Sequence, residues 1–189
     1  MKYLWVSWVL LMFVSPAWGA ATDQDLEQAN ATFRYQDNPI HPGLVMAFHN
    51  WEADYRPPIV TMVDVGAAYN TNEFYEPVQT GPDAKVMIKL DDGGSFSYRH
   101  LGRVAEDIHV LHTLQNYPGT GVSQTVTFVK FGLQNGFDRD GLNPSKRLMM
   151  SAVRVYLIVG RQIPDVFVGR DFVEVENKSG RTMLSFSSN

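Results

Sequence analysis

Five histidines are the residues of this 189-residue chain best suited to metal or acid–base chemistry. His109 and His112 are three positions apart, a spacing that shares one face of a helix but places the rings on opposite faces of a strand. Their neighbours alternate as in a strand, so we expect no shared metal ion. His100 could approach His112 across a hairpin. However, the register that keeps the apolar faces together, with His100 opposite Ile108, separates the two rings by roughly 13 Å. The sequence therefore predicts no metal site.

Familiar catalytic motifs are absent from the sequence. There is no nucleophile elbow, zinc-protease motif, phosphate loop or dinucleotide fingerprint, and the lack of Cys excludes thiolate chemistry. Asp138 and Asp140 resemble part of a calcium loop, but Arg147 stands where that loop needs its bidentate Glu. Paired carboxylates from distant strands remain open, since nothing selects a pair among 20 acidic residues. We therefore expect no cofactor, and a binding role more than an enzymatic one.

Aromatic and polar side chains are mixed most densely between positions 41 and 75. Trp and Tyr offer a flat apolar surface with a polar tip, as ligand-facing loops use, and sugar or peptide is the natural ligand class. The alternative is that Phe48 and Trp51 simply pack a short helix against a sheet. The candidate ligand-binding residues are His49, Trp51, Asp54, Tyr55 and Arg56.

The N-terminus has the pattern of a secretory signal peptide. Lys2 precedes an apolar run over 3–14, Ser15 and Pro16 interrupt it, and Ala17 and Gly19 are the small residues before a cut. The run is shorter than the roughly 20 residues of a membrane span, although an uncleaved anchor is the alternative. We predict a signal peptide over 1–19, export to the periplasm or the extracellular space, and no membrane span after cleavage.

After the signal, the chain divides into a polar N-terminal segment over 20–43 and one β-rich domain over 44–189. Helical spacing over 44–51 predicts a short helix. Alternating or β-branched runs predict strands, and the Asp-Asp-Gly-Gly sequence over 91–94 predicts a hairpin turn. The predicted strands cover 59–65, 85–90, 95–100, 108–114, 125–131, 166–175 and 183–186.

The region 143–160 has a different period from the strands around it. Leu148, Ala152, Tyr156 and their apolar neighbours recur four apart, which predicts an amphipathic helix at about 144–159. Arg147, Arg154 and Arg161 would form a basic stripe on its other side, able to meet an anionic partner or simply to face solvent. The fold class is α+β and predominantly antiparallel β, either sandwich-like or a sheet with this one packed helix.

Two functions fit these patterns. The first is an exported, non-catalytic binding or envelope-associated domain whose partner is a protein, a peptide or a glycan. The net charge of −4 argues against nucleic acid as that partner. The second is a secreted or periplasmic hydrolase with carboxylate or His acid–base residues, which would need His41, His49 or Asp54 to share one cleft with an acid from another strand.

Overall fold

The structure is a computed structural model, and its described residues include most of the predicted β-rich region. The predicted signal peptide over 1–19 lies outside these residues, as do Trp51, Asp54, Tyr55 and Arg56. The described ranges are 20–49, 60–68, 77–105, 107–119, 121–137, 142–158, 164–177 and 180–185.

The described chain begins with a capped helix, α1 (Asp23–Thr32). Thr22 and Asp25 form a reciprocal capping box, which satisfies donors that a helix N-terminus otherwise leaves unpaired. The helix ends at Phe33, whose backbone is left-handed (φ 54°) and whose ring is buried. The short strands β1 (Arg34–Tyr35) and β2 (Asn38–Pro39) then pair as a hairpin.

The short helix predicted over 44–51 is present. Helix α2 (Pro42–Met46) continues as a 3₁₀ turn (Ala47–His49), with proline in the first turn, where its missing N–H is harmless. The imidazole Nδ1 of His41 caps α2 by accepting from the Gly43 N–H at 3.1 Å. Strand β3 (Met62–Asp64) and helix α3 (Val65–Ala68) follow. Within the described ranges, no helix has the length and apolar character needed to cross a bilayer.

A curled sheet of seven antiparallel strands forms the centre of the fold, and it confirms the α+β, predominantly antiparallel class. The strand order is β3-β9-β8-β7-β6-β5-β4. The Asp-Asp-Gly-Gly turn joins β5 to β6 as predicted, with Ile88 opposite Phe96. The remaining strands are β4 (Gln79–Thr80), β5 (Val86–Lys89), β6 (Ser95–Val104), β7 (Ile108–Tyr117), β8 (Gly121–Phe137) and β9 (Pro144–Ile158).

A second, three-stranded antiparallel sheet follows in the chain. Its strands are β10 (Asp165–Val168), β11 (Phe172–Asn177) and β12 (Gly180–Ser185), in that order. The strand predicted over 166–175 is therefore two strands, because Gly169 hydrogen-bonds Phe172 and turns the chain.

The seven-stranded sheet has apolar residues on both faces. One face, which we call the helix face, packs against α1 and α2 through residues such as Phe48, Phe96 and Leu111. The other, which we call the sheet face, packs Val110 and Phe128 against the three-stranded sheet. Successive residues of a strand point to opposite faces of the sheet. Because both faces are covered here, both sets of alternating positions are apolar in the central strands.

The helix predicted at about 144–159 is wrong, since these residues form strand β9. A β-bulge at Val153 explains the misleading period. Before the bulge, Leu148 and Met150 face the helix face; after it, Val155 does so while Tyr156 turns to the sheet face. The bulge changes which residues point to each face, and both faces are buried. Together these two features give the apolar residues a spacing of four, as in a helix. The basic stripe of Arg147 and Arg154 is consequently not a helix face, and Arg161 lies outside the described residues.

The predicted β6–β7 register is also wrong. His100 pairs with Leu111 instead of Ile108, and Phe96 pairs with Gln115. The prediction assumed that only one face is apolar, whereas both are covered. A bulge between His100 and Gly102 then shifts the remainder of the ladder.

Candidate functional site

His49, the one predicted ligand-binding residue within the described chain, lies between α2 and the helix face of the sheet. Its Nδ1–H donates to the Val45 carbonyl at 2.9 Å, so the lone pair of the neutral ring is on Nε2. That nitrogen lies 2.7 Å from Thr125 Oγ1, 3.0 Å from Thr127 Oγ1 and 3.2 Å from Thr113 Oγ1. We call these four residues the threonine cluster.

The threonine cluster joins three strand positions to the 3₁₀ turn. Thr113 and Thr125 are cross-strand partners with hydroxyls 2.6 Å apart, and Thr127 lies 2.9 Å from Thr125. Burial lowers the pKa of His49 to about 4, so the ring is neutral at physiological pH. The Thr125–His49 contact has the geometry of a hydroxyl beside a base, but all three threonines are at most 2% exposed. A substrate would have no direct access to this hydroxyl.

A second histidine contact lies on the same face, at the end of α1. His109 Nδ1 is 3.1 Å from His100 Nε2, and the Phe33 ring stacks on His100 with centroids 4.9 Å apart. Burial, together with the nearby His100 and Arg103, lowers the pKa of His109 to about 3. In the described parts of the chain, no third His, Asp or Glu joins this pair in a set that could hold a metal ion. The pair therefore forms a contact beneath Phe33 in which His109 is buried and His100 is half-buried.

The sheet face carries a different kind of polar group, in a groove of about 170 Å³. Arg99 on β6 pairs across the ladder with His112 on β7, and Lys85 immediately precedes β5, the strand on the other side of β6. We call this the basic groove. It is lined by Asp83, Lys85, Ser97, Arg99, His112 and Leu114, with Pro82 and Tyr98 at its margin.

The two cations of the basic groove, Arg99 and Lys85, are not neutralised by the described residues around them. The Nε of Arg99 is buried and has no hydrogen-bond partner among the residues that the structure describes. Across that same described chain, no ion pair within 4.0 Å joins Arg99 or Lys85 to a carboxylate. A buried polar group without a partner loses about 1–3 kcal/mol of solvation and is uncommon in folded proteins. Arg99 Nε–H is thus a buried donor that the described chain leaves unsatisfied.

His112 lines the groove and is hydrogen-bonded to a buried residue of strand β8. Its Nε2–H donates to the Gln124 side-chain oxygen at 3.2 Å. Burial lowers the pKa of His112, the bond to Gln124 opposes that shift, and the positive charges of Arg99 and Lys85 lower the pKa further. The neutral ring is therefore held beside two cations, and a negative charge placed in the groove would favour its protonation.

The structure brings none of the predicted ligand-binding residues into the basic groove. His49 lies on the opposite face of the sheet, and whether Trp51, Asp54, Tyr55 and Arg56 bind a ligand stays a prediction. As expected, His109 and His112 point to opposite faces of β7, His109 towards Phe33 and His112 into the groove.

Sequence reasoning missed Lys85 and Arg99 as site residues. A signal for them existed, because the turn over 91–94 aligns Val86 with Tyr98 and so places Lys85 next to Arg99. The position of His112 beside them could not be derived, since it depends on the β6–β7 register.

Comparisons with known proteins add no function to this geometry. No protein-family model, curated protein or solved structure matches the chain.

Proposed function

We propose that this protein is an exported, non-catalytic binding domain, and that the basic groove receives an anionic group of its partner. The partner classes are a protein, a peptide or a glycan carrying such a group. The observation that carries the proposal is the pair of cations Arg99 and Lys85, which line one groove and form no ion pair with a carboxylate of the described chain. An anionic oxygen in the groove would neutralise the positive charge that Arg99 shares with Lys85.

The neighbouring residues support binding more than catalysis. Lys85 and Arg99 can hold an anion, but an acid–base mechanism also needs a group that exchanges a proton with the substrate. His112 could do so only with its free ring nitrogen, because the other donates to Gln124. The hydroxyl residues that line the described groove are Ser97, whose Oγ donates to the Leu114 carbonyl at 3.3 Å, and Tyr98, whose hydroxyl donates to the Ile40 carbonyl.

Titration of the isotope-labelled protein followed by NMR tests the binding proposal. We expect sodium sulfate and sodium acetate to shift the resonances of Arg99, His112 and Ser97, and glycerol to leave them unchanged. The Arg99→Gln variant should lose these shifts. Arg154→Gln is the matched control, because it removes the same charge from an exposed position on β9. Groove resonances that respond to no anion would contradict the proposal.

Export is the second part of the proposal, and it is supported by the residue pattern over 1–19. Expression of the full-length chain in a bacterium, followed by intact-mass measurement of the periplasmic fraction, tests it. We expect a species that starts at Ala20, after the cut that Ala17 and Gly19 predict. A chain that retains Met1–Gly19 in the cytosol would overturn this part and leave the groove proposal standing.

A hydrolase is the second candidate, and the 2.7 Å contact between Thr125 and His49 is the observation in its favour. The carbonyl of Val45 orients the ring as a third group does in a nucleophile–base–orienter set. Burial of the threonine cluster counts against it. An activated phosphonate that labels Thr125 in the folded protein, but not in a His49→Gln variant, would restore this candidate.

A further inference from the structure

We propose that the anionic group held by the basic groove is a phosphate monoester, with Arg99, Lys85 and His112 as its three donors. This inference rests on the function proposed above and names the ligand class of the same groove. It differs from a general anion site by requiring both a tetrahedral shape and a double negative charge.

Three separate donors converge on the groove from neighbouring elements of the sheet. Arg99 lies on β6, His112 on β7, and Lys85 just before β5. A planar carboxylate has two oxygens, which one guanidinium fork can satisfy alone. A phosphate monoester presents three terminal oxygens, one for each donor group. The number of donors therefore fits a phosphoryl group better than a carboxylate.

The charges of the groove lead to the same ligand. Lys85 and Arg99 are cations and Asp83 is the one carboxylate that lines the described groove, which leaves a single net positive charge while His112 is neutral. Protonated His112 raises this to two, which matches a phosphate dianion. The dianion would itself stabilise the imidazolium, because an opposite charge within a few ångströms favours the charged form. Binding should therefore take up a proton from solvent.

The groups around His112 make the expected proton uptake specific. Lys85 and Arg99 oppose protonation from the strands on one side, and Gln124 on β8 accepts the Nε2–H from the other side. Asp83, in the 3₁₀ turn Pro82–Ala84, is the remaining titratable group of the groove. Burial is the main reason that the pKa of His112 is lowered, and neutralising Lys85 and Arg99 with a bound dianion removes the repulsion that lowers this pKa further.

Calorimetric titration with three phenyl ligands that differ in the shape and charge of the anionic group tests the inference. Phenyl phosphate is a tetrahedral dianion at pH 7.5, phenyl sulfate a tetrahedral monoanion, and benzoate a planar monoanion. We expect phenyl phosphate to bind roughly 10-fold or more tightly than either monoanion, the equivalent of one additional charge-assisted hydrogen bond. Repeating the titration in buffers of different ionisation enthalpy should show uptake of up to one proton with phenyl phosphate, and none with His112→Gln.

Single variants test the contribution of each donor group to phenyl phosphate binding. A folded control variant shows that weaker binding is not caused by misfolding. Lys85→Gln should weaken phenyl phosphate by roughly 10-fold, and Arg99→Lys, which keeps the charge and loses the fork, should weaken it as well. Arg154→Gln should bind as the wild type does. Equal weakening by Arg154→Gln would show nonspecific attraction and overturn the inference, provided that circular dichroism shows all variants folded.

Loss of the preference for a phosphate monoester and loss of all anion binding are separate experimental outcomes. Benzoate or phenyl sulfate that binds the groove as tightly as phenyl phosphate would remove the phosphoryl assignment and keep an anion site. Groove resonances that respond to none of the three ligands would remove both.

Discussion

Two polar groups on opposite faces of the seven-stranded sheet differ in how completely they are hydrogen-bonded, although the helix face also holds a buried nitrogen, His109 Nε2, without a partner in the described chain. On the helix face, His49 and three threonines satisfy one another, and both ring nitrogens of His49 have partners. On the sheet face, Arg99 keeps a buried donor without a partner in the described chain. Polar groups that complete each other stabilise a fold, whereas an unsatisfied buried group lowers its stability. The threonine cluster therefore resembles structure, and the basic groove resembles a site.

Both faces hold histidines whose pKa values are lowered by burial, and His112 has further causes. Burial is the first cause for His49 and for His112. For His112, two neighbouring cations add to it, and an incoming anion can reverse their effect. A lowered pKa alone thus does not identify a functional residue, and the partners of the ring separate the two cases.

The largest effect that would test this comparison is acid destabilisation through the helix face. The folded-state pKa of His49 is about 4 against an ordinary 6.5, so the unfolded chain takes up the proton first. The stabilisation is complete above about pH 6.5 and is lost as the pH falls towards 4, by about 3 kcal/mol for this ring. Urea unfolding at a series of pH values measures the loss.

The control for the acid experiment is His49→Gln, which cannot titrate. Its free energy of unfolding should fall less steeply between pH 6.5 and 4 than that of the wild type. Parallel profiles for the two proteins would show that His49 is accessible to protons in the folded state, and that the threonine cluster is not enclosed.

A somewhat smaller effect should follow from truncating the same ring at neutral pH. His49→Ala removes the acceptor shared by the three threonine hydroxyls and leaves a cavity beside Phe96, whose ring centroid is 5.4 Å from that of His49. We expect a loss of about 2 kcal/mol in the free energy of unfolding, measured by urea denaturation, with part of it recovered in His49→Gln. A loss of less than about 0.5 kcal/mol would mean that the cluster contributes little to stability.

Local patterns predicted much of the fold, because many of its contacts are local in sequence. The hairpin of β5 and β6 follows from alternation and a tight turn, and α2 follows from helical spacing after Pro42. Strand β9 was not predicted because its bulge at Val153 changes the face of the sheet to which each later residue points. No residue type in the sequence indicates that bulge. The three-stranded sheet that covers the second face was not predicted either, because only one face of the large sheet was expected to be apolar.

The candidate site was harder to predict for the same reason. Lys85 and Arg99 are neighbours through a turn that the sequence reveals, but His112 reaches them only in the observed β6–β7 register. In the predicted register, Arg99 would lie opposite His109. An error in pairing therefore changed which histidine faces the cations.

The bulge on β6 offers a test of how the two faces are kept distinct, with a moderate expected effect. Gly102 follows the bulge with φ 131°, a conformation that L-residues rarely adopt. An added Cβ would find ordinary space, 3.9 Å from Val168 Cγ1, so Gly102→Ala should act through backbone strain. We expect a loss of about 1 kcal/mol in urea denaturation.

Gly132→Ala on β8 is the matched control for this substitution. Its backbone is not in the positive-φ region, and an added Cβ would meet no atom within 4 Å. We expect its unfolding free energy to stay within about 0.5 kcal/mol of the wild type. Equal losses in the two variants would mean that strain at the bulge does not fix the register.

The smallest stability change should come from the basic groove itself. Arg99→Met keeps an apolar stem against the sheet and removes a buried donor that the described chain does not satisfy, together with the repulsion from Lys85. We expect the free energy of unfolding to change by less than about 0.5 kcal/mol, or to rise slightly, as measured by urea denaturation without added anions. A half-buried arginine that supported the fold would instead lower the stability when removed, as His49→Ala does on the other face. A loss of about 2 kcal/mol in Arg99→Met would therefore make Arg99 a structural residue and remove the distinction between the two faces.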